Sequence, residues 1–133
     1  MTHKLGGLLV LAVATTAFLP AASAADRSGA FRAAQYPVEG RATLSVASDA
    51  ARVELSDDFE TRSGPDLFVL LHRAKKPTSY DAKDYVSLGV LKTIKGKQVY
   101  AVPAKVDLKR YRSVVIWCKK FDVTFAYAPL GDS

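Results

Sequence analysis

The sequence predicts an all-β protein folded as a compact antiparallel β-sandwich of about seven to nine short strands. Three observations lead to this prediction. Short segments that are apolar throughout, or that alternate between apolar and polar residues, recur between turn-forming residues. No segment sustains the period of an amphipathic helix. The 133 residues suffice for one domain with a buried core, and no second domain fits beside it.

Residues 1–24 predict a secretory signal peptide. His3 and Lys4 form a short polar start, and an apolar run follows at residues 8–19. The sequence ASA at residues 22–24 matches the small-residue pattern of a cleavage site. The apolar run is shorter than the roughly 20 residues that span a bilayer. We therefore expect an exported protein, periplasmic or extracellular, that is not an integral membrane protein.

The segment after the predicted signal, residues 25–35, is small and polar. It contains too few apolar groups to pack, so we expect a flexible N-terminal segment. Ordered structure is expected to begin near Tyr36, and the folded domain to cover residues 36–130.

The first predicted strands differ in how deeply they should be buried. Residues 43–46 form a brief strand, and residues 51–55 alternate in a way that predicts one face open to water. A turn signal at residues 63–66 precedes the apolar run LFVLL at residues 67–71. We expect this last strand to be buried on both faces.

The middle of the chain predicts a β-hairpin. Residues 85–91 and 98–102 are strand-like, and Gly96 stands between them where a tight reversal needs a positive φ. Pro103 should end the second strand, because proline cannot donate to the ladder. Residues 106–111 are short enough for a single helical turn.

Two aromatic-rich segments, residues 114–118 and 121–127, are predicted to close the domain as strands. Strand alternation places the large apolar residues of the second segment on one face. Those residues are Phe121, Val123, Phe125 and Tyr127.

The chain is basic, with 19 Lys and Arg against 13 acidic residues and a formal net charge of +6. Clustered cations can bind nucleic acid, an anionic membrane surface or an acidic polymer. Here the cations are spread along the chain, so no nucleic-acid partner is expected. A solvated basic surface and binding to an anionic cell-surface polymer or partner both remain open.

The residue inventory excludes several cofactor classes. After the signal, His72 is the only histidine, which is too few for a blue-copper site or a cysteine and histidine zinc site. His72 is expected to be an exposed residue at a strand end rather than a catalytic base. Asp57, Asp58 and Glu60 could bind a cation, but a solvated loop explains them better. We therefore expect no metal site and no cofactor in the isolated chain.

Cys118 is the single cysteine of the chain. An unpaired cysteine in an exported protein indicates an intermolecular pairing, a reactive thiol or a buried small apolar residue. The strand-like residues before Cys118 favour burial. Lys119 and Lys120, directly after it, favour the thiolate if solvent can reach the sulfur. The sequence leaves these alternatives open.

Three segments stand out in order: GPDLFVLL at residues 64–71, YVSLGVLKTIKGKQVYAVP at residues 85–103, and YRSVVIWCKKFDVTFAYAPL at residues 111–130. Together they resemble the electron-transfer DM-thirteen domain family. The resemblance covers nearly all of residues 36–130. It implies a β-sandwich related to the DOMON class, in which Cys118 is the family's characteristic cysteine with a proposed redox role. DOMON kinship alone suggests haem or flavin, and the scarcity of ligands disfavours both.

The resemblance also draws attention to Asp66 and Trp117. Asp66 is expected to hydrogen-bond the backbone of the turn before the buried strand, or else to lie near the sulfur. Trp117 should point to the opposite face of its strand from Cys118 and act as a core anchor.

Two functions from different classes follow. The first is a redox or electron-transfer domain, rather than a stand-alone enzyme, in which Cys118 reacts with an unidentified redox protein or an electron donor or acceptor. Lys119, Lys120, Asp66 and Trp117 would support the thiol. The second is a non-catalytic binding or adhesion module with a basic surface, in which Cys118 is buried for packing.

Overall fold

A computed structural model describes residues 6–7, 9–14 and 26–131 of the chain. These residues form nine β-strands and one short 3-10 helix, and all strand pairs are antiparallel. The strands lie in two sheets, so the predicted all-β sandwich is confirmed. The strands are β1 (Arg27–Ala30), β2 (Arg32–Ala33), β3 (Arg41–Ala47), β4 (Ala50–Leu55), β5 (Leu67–His72), β6 (Tyr85–Val90), β7 (Gln98–Ala101), β8 (Ser113–Cys118) and β9 (Val123–Pro129).

The predicted signal peptide, residues 1–24, lies outside the described residues except for 6–7 and 9–14. In the parts of the chain that the structure describes, no helix is both long and apolar enough to cross a membrane.

The smaller sheet has four strands in the order β1-β3-β4-β7. Strands β3 and β4 form a tight hairpin in which Ser48 and Asp49 both have positive φ, of 49° and 64°. Two such residues in a two-residue loop match the twist of the flanking strands. One face of this sheet carries buried residues from β3, β4 and β7, which are Ala42, Leu44, Val53, Leu55 and Tyr100.

The larger sheet has five strands in the order β2-β9-β8-β5-β6. Its central strand β8 is buried along its whole length, and neighbouring β5 is buried except for partly exposed Phe68. Leu67, Val69 and Leu71 of β5 face the core between the sheets, while Leu70 packs on the outer face. The prediction that this segment is buried on both faces is confirmed.

The N-terminal segment differs from the expectation that ordered strands begin near Tyr36. Residues 26–35 are described and contain β1 and β2, while Ala25 lies outside the described residues. Strand β1 pairs with β3 and strand β2 pairs with β9, so their backbone groups are hydrogen-bonded although their side chains are small or polar. Phe31, between the two strands, is buried against Phe59.

The predicted hairpin between residues 85–91 and 98–102 is wrong. Strand β6 pairs with β5 in the larger sheet, whereas β7 pairs with β4 in the smaller one. Gly96 does have a positive φ, of 99°, but its N–H donates to the Phe59 carbonyl at 2.8 Å. The segment between the strands is therefore a crossover held by another loop. The helical turn predicted at residues 106–111 is confirmed as the 3-10 helix Leu108–Arg110.

The aromatic residues of the segment 121–127 do not share one face, contrary to the prediction. In the pairing of β8 with β9, Trp117 lies opposite Thr124 and Ile116 lies opposite Ala126, so Phe125 is an extra residue. This β-bulge sends Phe125 into the core and Tyr127 to the outer face of the larger sheet. Phe121 lies in the turn before β9 and is 61% exposed.

Candidate functional site

Cys118 is the last residue of strand β8 and is fully buried. Its Cα partners are Leu67 on β5 and Val123 on β9, and its side chain belongs to the core between the two sheets. Of the environments that the sequence left open, the structure shows the buried one. No solvent reaches the side chain in this conformation, since its exposed fraction is 0%.

Lys119 and Lys120 do not direct their charges at the sulfur. The Lys119 Nζ lies 5.7 Å from the centre of the Phe68 ring, which packs on the outer face of the larger sheet. The Lys120 Nζ lies 5.7 Å from the ring centre of exposed Phe121. Both ammonium groups therefore have cation–π contacts. Because Cys118 faces the core, the Lys119 ammonium lies on the opposite side of the sheet from it.

Residues 119–122 form the turn between β8 and β9, and all four are exposed. The Asp122 N–H donates to the Lys119 carbonyl at 3.3 Å, and the Lys119 N–H donates to the Asp66 carbonyl at 3.0 Å. Asp122 has a φ of 51°, which is uncommon for a residue other than glycine. The thiol thus lies at the inner end of a solvent-exposed turn.

Asp66 reaches this site through its backbone. Its carbonyl accepts from Lys119, and the next residue, Leu67, pairs with Cys118. Within the described residues, the Asp66 carboxylate makes no hydrogen bond, although the residue does lie in the predicted turn. Gly64, at the start of that turn, leaves room for a ring, because a Cβ there would come within 2.9 Å of the Phe125 Cζ atom.

Trp117 points away from Cys118, as the strand alternation predicted. It packs on the outer face of the larger sheet with Tyr80 and Tyr85, a group that we call the outer aromatic cluster. Tyr80 and Trp117 are stacked, with ring centres 4.7 Å apart and ring planes 15° apart. The ring centre of Tyr85 lies 5.5 Å from that of Trp117. Trp117 anchors this second cluster rather than the core between the sheets.

The outer aromatic cluster is tied to β9 and its turn by hydrogen bonds. The Trp117 Nε1–H donates to the Asp122 Oδ1 at 3.1 Å. The Tyr80 hydroxyl bonds to the Thr124 hydroxyl. Burial raises the pKa of Tyr80 to about 12; the hydrogen bond to Thr124 opposes this shift, and the negative charge of Asp122 adds to it.

His72 is buried, with 2% of its surface exposed, so the expectation of an exposed residue is wrong. The Ala74 N–H donates to Nδ1 at 3.0 Å, which leaves the proton on Nε2. The Nε2–H then donates to the Ser79 carbonyl at 2.7 Å. Both ring nitrogens are used in hydrogen bonds, so His72 holds the loop over the outer aromatic cluster and leaves neither nitrogen free to ligate a metal ion.

The acidic residues near the Gly64 turn do not converge. The Asp58 Oδ1 accepts from the Ser56 hydroxyl at 2.6 Å, while Glu60 pairs across an isolated bridge with Glu39. Residues 37–39 and 60–62 line a groove of about 400 Å³. Within the part of the chain that the structure describes, the buried Thr61 hydroxyl has no hydrogen-bond partner, and because it is inaccessible to solvent it cannot contact a ligand in the groove. Among the described residues, no three His, Cys, Asp or Glu residues come close enough to hold a metal ion.

The sequence reasoning missed Tyr80, Tyr85 and Asp122. Tyr80 lies in a polar loop, and nothing local indicates that this loop folds back over β8. Asp122 had a usable signal, because an aspartate four residues after a strand end can occupy a left-handed turn position. Its bond to Trp117 follows from the turn conformation, which the sequence did not reveal.

Comparison with known proteins identifies a family. The family model described as Electron transfer DM13 matches residues 30–130, which include every strand from β2 to β9 and also Cys118. No curated protein matches the chain. No solved structure matches it either.

Proposed function

Because the chain belongs to the electron transfer DM13 family, we propose that it is an exported domain that exchanges electrons with an external redox partner through Cys118. The observation that carries the proposal is the place of the single cysteine: the end of a central strand of the matched region, beside an exposed turn. One cysteine cannot form an internal disulfide, so the partner takes part in every turnover.

Burial of the thiol sets a condition on this function. Thiol and disulfide exchange needs direct contact between sulfur atoms, and the closed conformation allows none. Cys118 therefore reacts when the end of the β8–β9 hairpin opens. The exposed turn and the left-handed Asp122 support an opening at this end of the hairpin, which must include Cys118 and its partner Val123 as well as residues 119–122. Such local opening costs less free energy than global unfolding.

Export is part of the proposal and is supported by the sequence pattern of residues 1–24. Cleavage after Ala24 would release a domain that acts in the periplasm or outside the cell, where oxidised partners are maintained. N-terminal sequencing of the protein from its own host is expected to give Ala25 as the first residue. A retained segment 1–24 would contradict this part of the proposal.

The proposal places no cofactor in the isolated chain, so the partner supplies the electron donor or acceptor. His72 has no ring nitrogen free to ligate haem iron. A visible absorption spectrum of protein purified from its own host is expected to show no haem or flavin band. Such a band would assign the redox chemistry to a bound cofactor instead.

The experiment that tests the function uses glutathione disulfide as the probe. The Cys118 thiolate attacks one sulfur of it, the S–S bond breaks, and the products are a protein–glutathione mixed disulfide and one glutathione, whose displaced thiolate takes up the proton that Cys118 lost. We expect one glutathione per chain, mapped to Cys118 by peptide mass, at a rate far above that of global unfolding. Before glutathione disulfide is added, the near-UV circular dichroism under the labelling conditions should be native, so that the reaction starts from the folded protein.

The matched control is Cys118→Ala, which should take up no glutathione and keep the fold. If the wild-type thiol reacts only in denaturant, with no modification of the folded protein over the same period, the proposed role of Cys118 is contradicted.

A second candidate function is favoured by the same burial. With Cys118 in the core and the Lys119 and Lys120 ammonium groups over aromatic rings, the cysteine could be purely structural. The domain would then be a binding module that uses its basic surface to hold an anionic cell-surface polymer.

Sedimentation with an anionic polymer distinguishes this candidate. Binding by exposed charges should be lost above roughly 0.3 M salt, because the screening length becomes shorter than typical charge separations. The Cys118→Ala variant should bind as well as the wild type. Binding that is absent at low salt, or unaffected by high salt, would count against the binding module.

A further inference from the structure

The outer aromatic cluster lies on the face of β8 opposite Cys118 and has its own proton acceptor. We propose that Trp117 is a one-electron redox site: it gives an electron to a one-electron oxidant on a partner protein while its indole proton moves to Asp122. This inference deepens the proposed function and rests on it for the existence of a partner. The site itself does not need the thiol.

The ring geometry suits electron transfer. Tyr80 stacks on Trp117 with a 4.7 Å separation and nearly parallel planes, so their π systems overlap. Trp117 is almost fully buried, whereas Tyr80 is partly exposed. An oxidant that docks on Tyr80 is therefore coupled to Trp117 through the stacked rings without touching it.

The hydrogen bond to Asp122 provides for the proton. Removing an electron from an indole makes its Nε1–H strongly acidic, and this N–H already points at the Asp122 Oδ1, 3.1 Å away. A carboxylate is a far better proton acceptor than the hydroxyl or backbone groups usually found next to a buried tryptophan. The proton can therefore cross one existing bond as the electron leaves.

The backbone at Asp122 supports a role beyond closing the turn. Its φ of 51° is a conformation that glycine adopts freely and other residues adopt at some cost. Glycine would close this turn equally well but could not accept from Trp117. The residue present supplies a carboxylate that accepts the hydrogen bond of the indole.

The structure favours Trp117 over Tyr80 as the place where the oxidised state rests. The Tyr80 hydroxyl bonds to Thr124, whose hydroxyl is not a base. Burial and the nearby Asp122 charge hold the Tyr80 pKa at about 12, so its proton is retained in the resting state. Only the indole has a carboxylate as its direct partner.

The electron and the proton both leave the indole. The oxidised partner gains the electron, the Asp122 carboxylate gains the proton, and a neutral Trp117 radical remains. A one-electron donor later returns the electron to Trp117, and Asp122 returns the proton.

The test uses the Cys118→Ala chain and tris(bipyridyl)ruthenium(III), generated by a light flash, as the oxidant. Trp117 is the only tryptophan in the sequence, so its radical is assigned without ambiguity. We expect the transient absorption spectrum of a neutral tryptophan radical to appear as the ruthenium(III) is reduced. A tyrosine radical instead, or no protein radical, would overturn the inference.

Asp122→Asn in the same background is the decisive variant. Asparagine tolerates the left-handed φ and keeps an acceptor oxygen, but it cannot take the proton. The neutral-radical spectrum should be lost and replaced by that of the protonated radical cation. Asp122→Gly, which keeps the turn and removes the carboxylate, should slow the appearance of the neutral radical, because the indole proton must then pass to water.

An unchanged neutral radical in both Asp122 variants would overturn the assignment of Asp122. Because the background lacks the thiol, a failure of the Cys118 proposal leaves these results readable. Conversely, a failure here leaves the glutathione experiment unaffected.

Discussion

Trp117 and Cys118 are adjacent in the chain, yet one belongs to the outer aromatic cluster and the other to the core between the sheets. Strand alternation predicted this separation from the sequence. The sequence did not predict that the Lys119 ammonium would lie over Phe68, because that contact depends on how β5 and β8 are aligned. The two lysines that follow Cys118 in the sequence therefore did not indicate which charges lie near its sulfur in the fold.

The free energies of unfolding of two Cys118 variants should show whether this side chain is buried. Cys118→Ser puts a hydroxyl among Leu67, Val123 and other apolar groups, and is expected to destabilise the fold by about 1–3 kcal/mol. Cys118→Ala introduces no polar group and should cost less. Urea unfolding of both variants measures the difference. Equal and small effects would mean that the side chain at residue 118 is open to solvent.

Tyr80 should make stability depend on pH in the alkaline range. Its folded pKa of about 12 lies above the ordinary tyrosine value of 10.0, so its neutral form stabilises the fold fully below pH 10. That contribution is lost as the pH rises from 10 through 12. Since the side chain is partly exposed, we expect a loss of about 1 kcal/mol after allowing for solvent.

The variant Tyr80→Phe isolates this effect. It should be less stable than the wild type at pH 9, because the bond to Thr124 is gone, and the difference should shrink towards pH 12. Free energies of unfolding at several pH values measure the trend. A difference that stays constant from pH 9 to pH 12 would show that Tyr80 ionises normally in the folded state.

At the scale of elements, the sequence identified most strands but not all of their partners. The apolar run in β5 and the aromatic strands β8 and β9 were recognised because their patterns are local. The false hairpin of β6 with β7 arose because both strands suit a turn at Gly96, whereas β6 pairs with β5 in the larger sheet and β7 with β4 in the smaller one. The β-bulge at Phe125 was not predicted either, because one extra residue in a strand does not change its composition in a recognisable way.

Strand β1 depends on a close approach that only glycine permits. A Cβ on Gly29 would lie 1.7 Å from the Pro129 carbonyl oxygen, where strand β1 crosses the end of β9. Gly29→Ala is therefore expected to cost about 3 kcal/mol, at the upper end of overpacking effects, because backbone must move. Chemical denaturation provides the measurement.

Gly131→Ala is the matched control, because its Cβ would make an ordinary 3.5 Å contact with the Ser28 carbonyl oxygen. It should change the stability little. Equal stabilities of Gly29→Ala and Gly131→Ala would contradict the close contact between β1 and the end of β9.

At the scale of the whole molecule, the composition and the residue pattern predicted the fold class. They did not predict that both faces of the larger sheet carry buried apolar clusters. The sequence predicted one core, and the structure adds the outer aromatic cluster under the loop that carries Tyr80. That loop is held by the His72 ring, whose partners Ala74 and Ser79 lie on the loop itself. Such contacts depend on the path of the whole loop, which residue patterns do not fix.

The central claim is that Cys118 is chemically usable while the domain stays folded. The most direct test is the rate of thiol labelling measured against urea concentration, beside the rate of global unfolding under the same conditions. We predict that at low urea the labelling rate is well above the unfolding rate and nearly independent of urea, because only the end of the β8–β9 hairpin that contains Cys118 opens. A labelling rate that follows global unfolding down to zero urea would contradict the account.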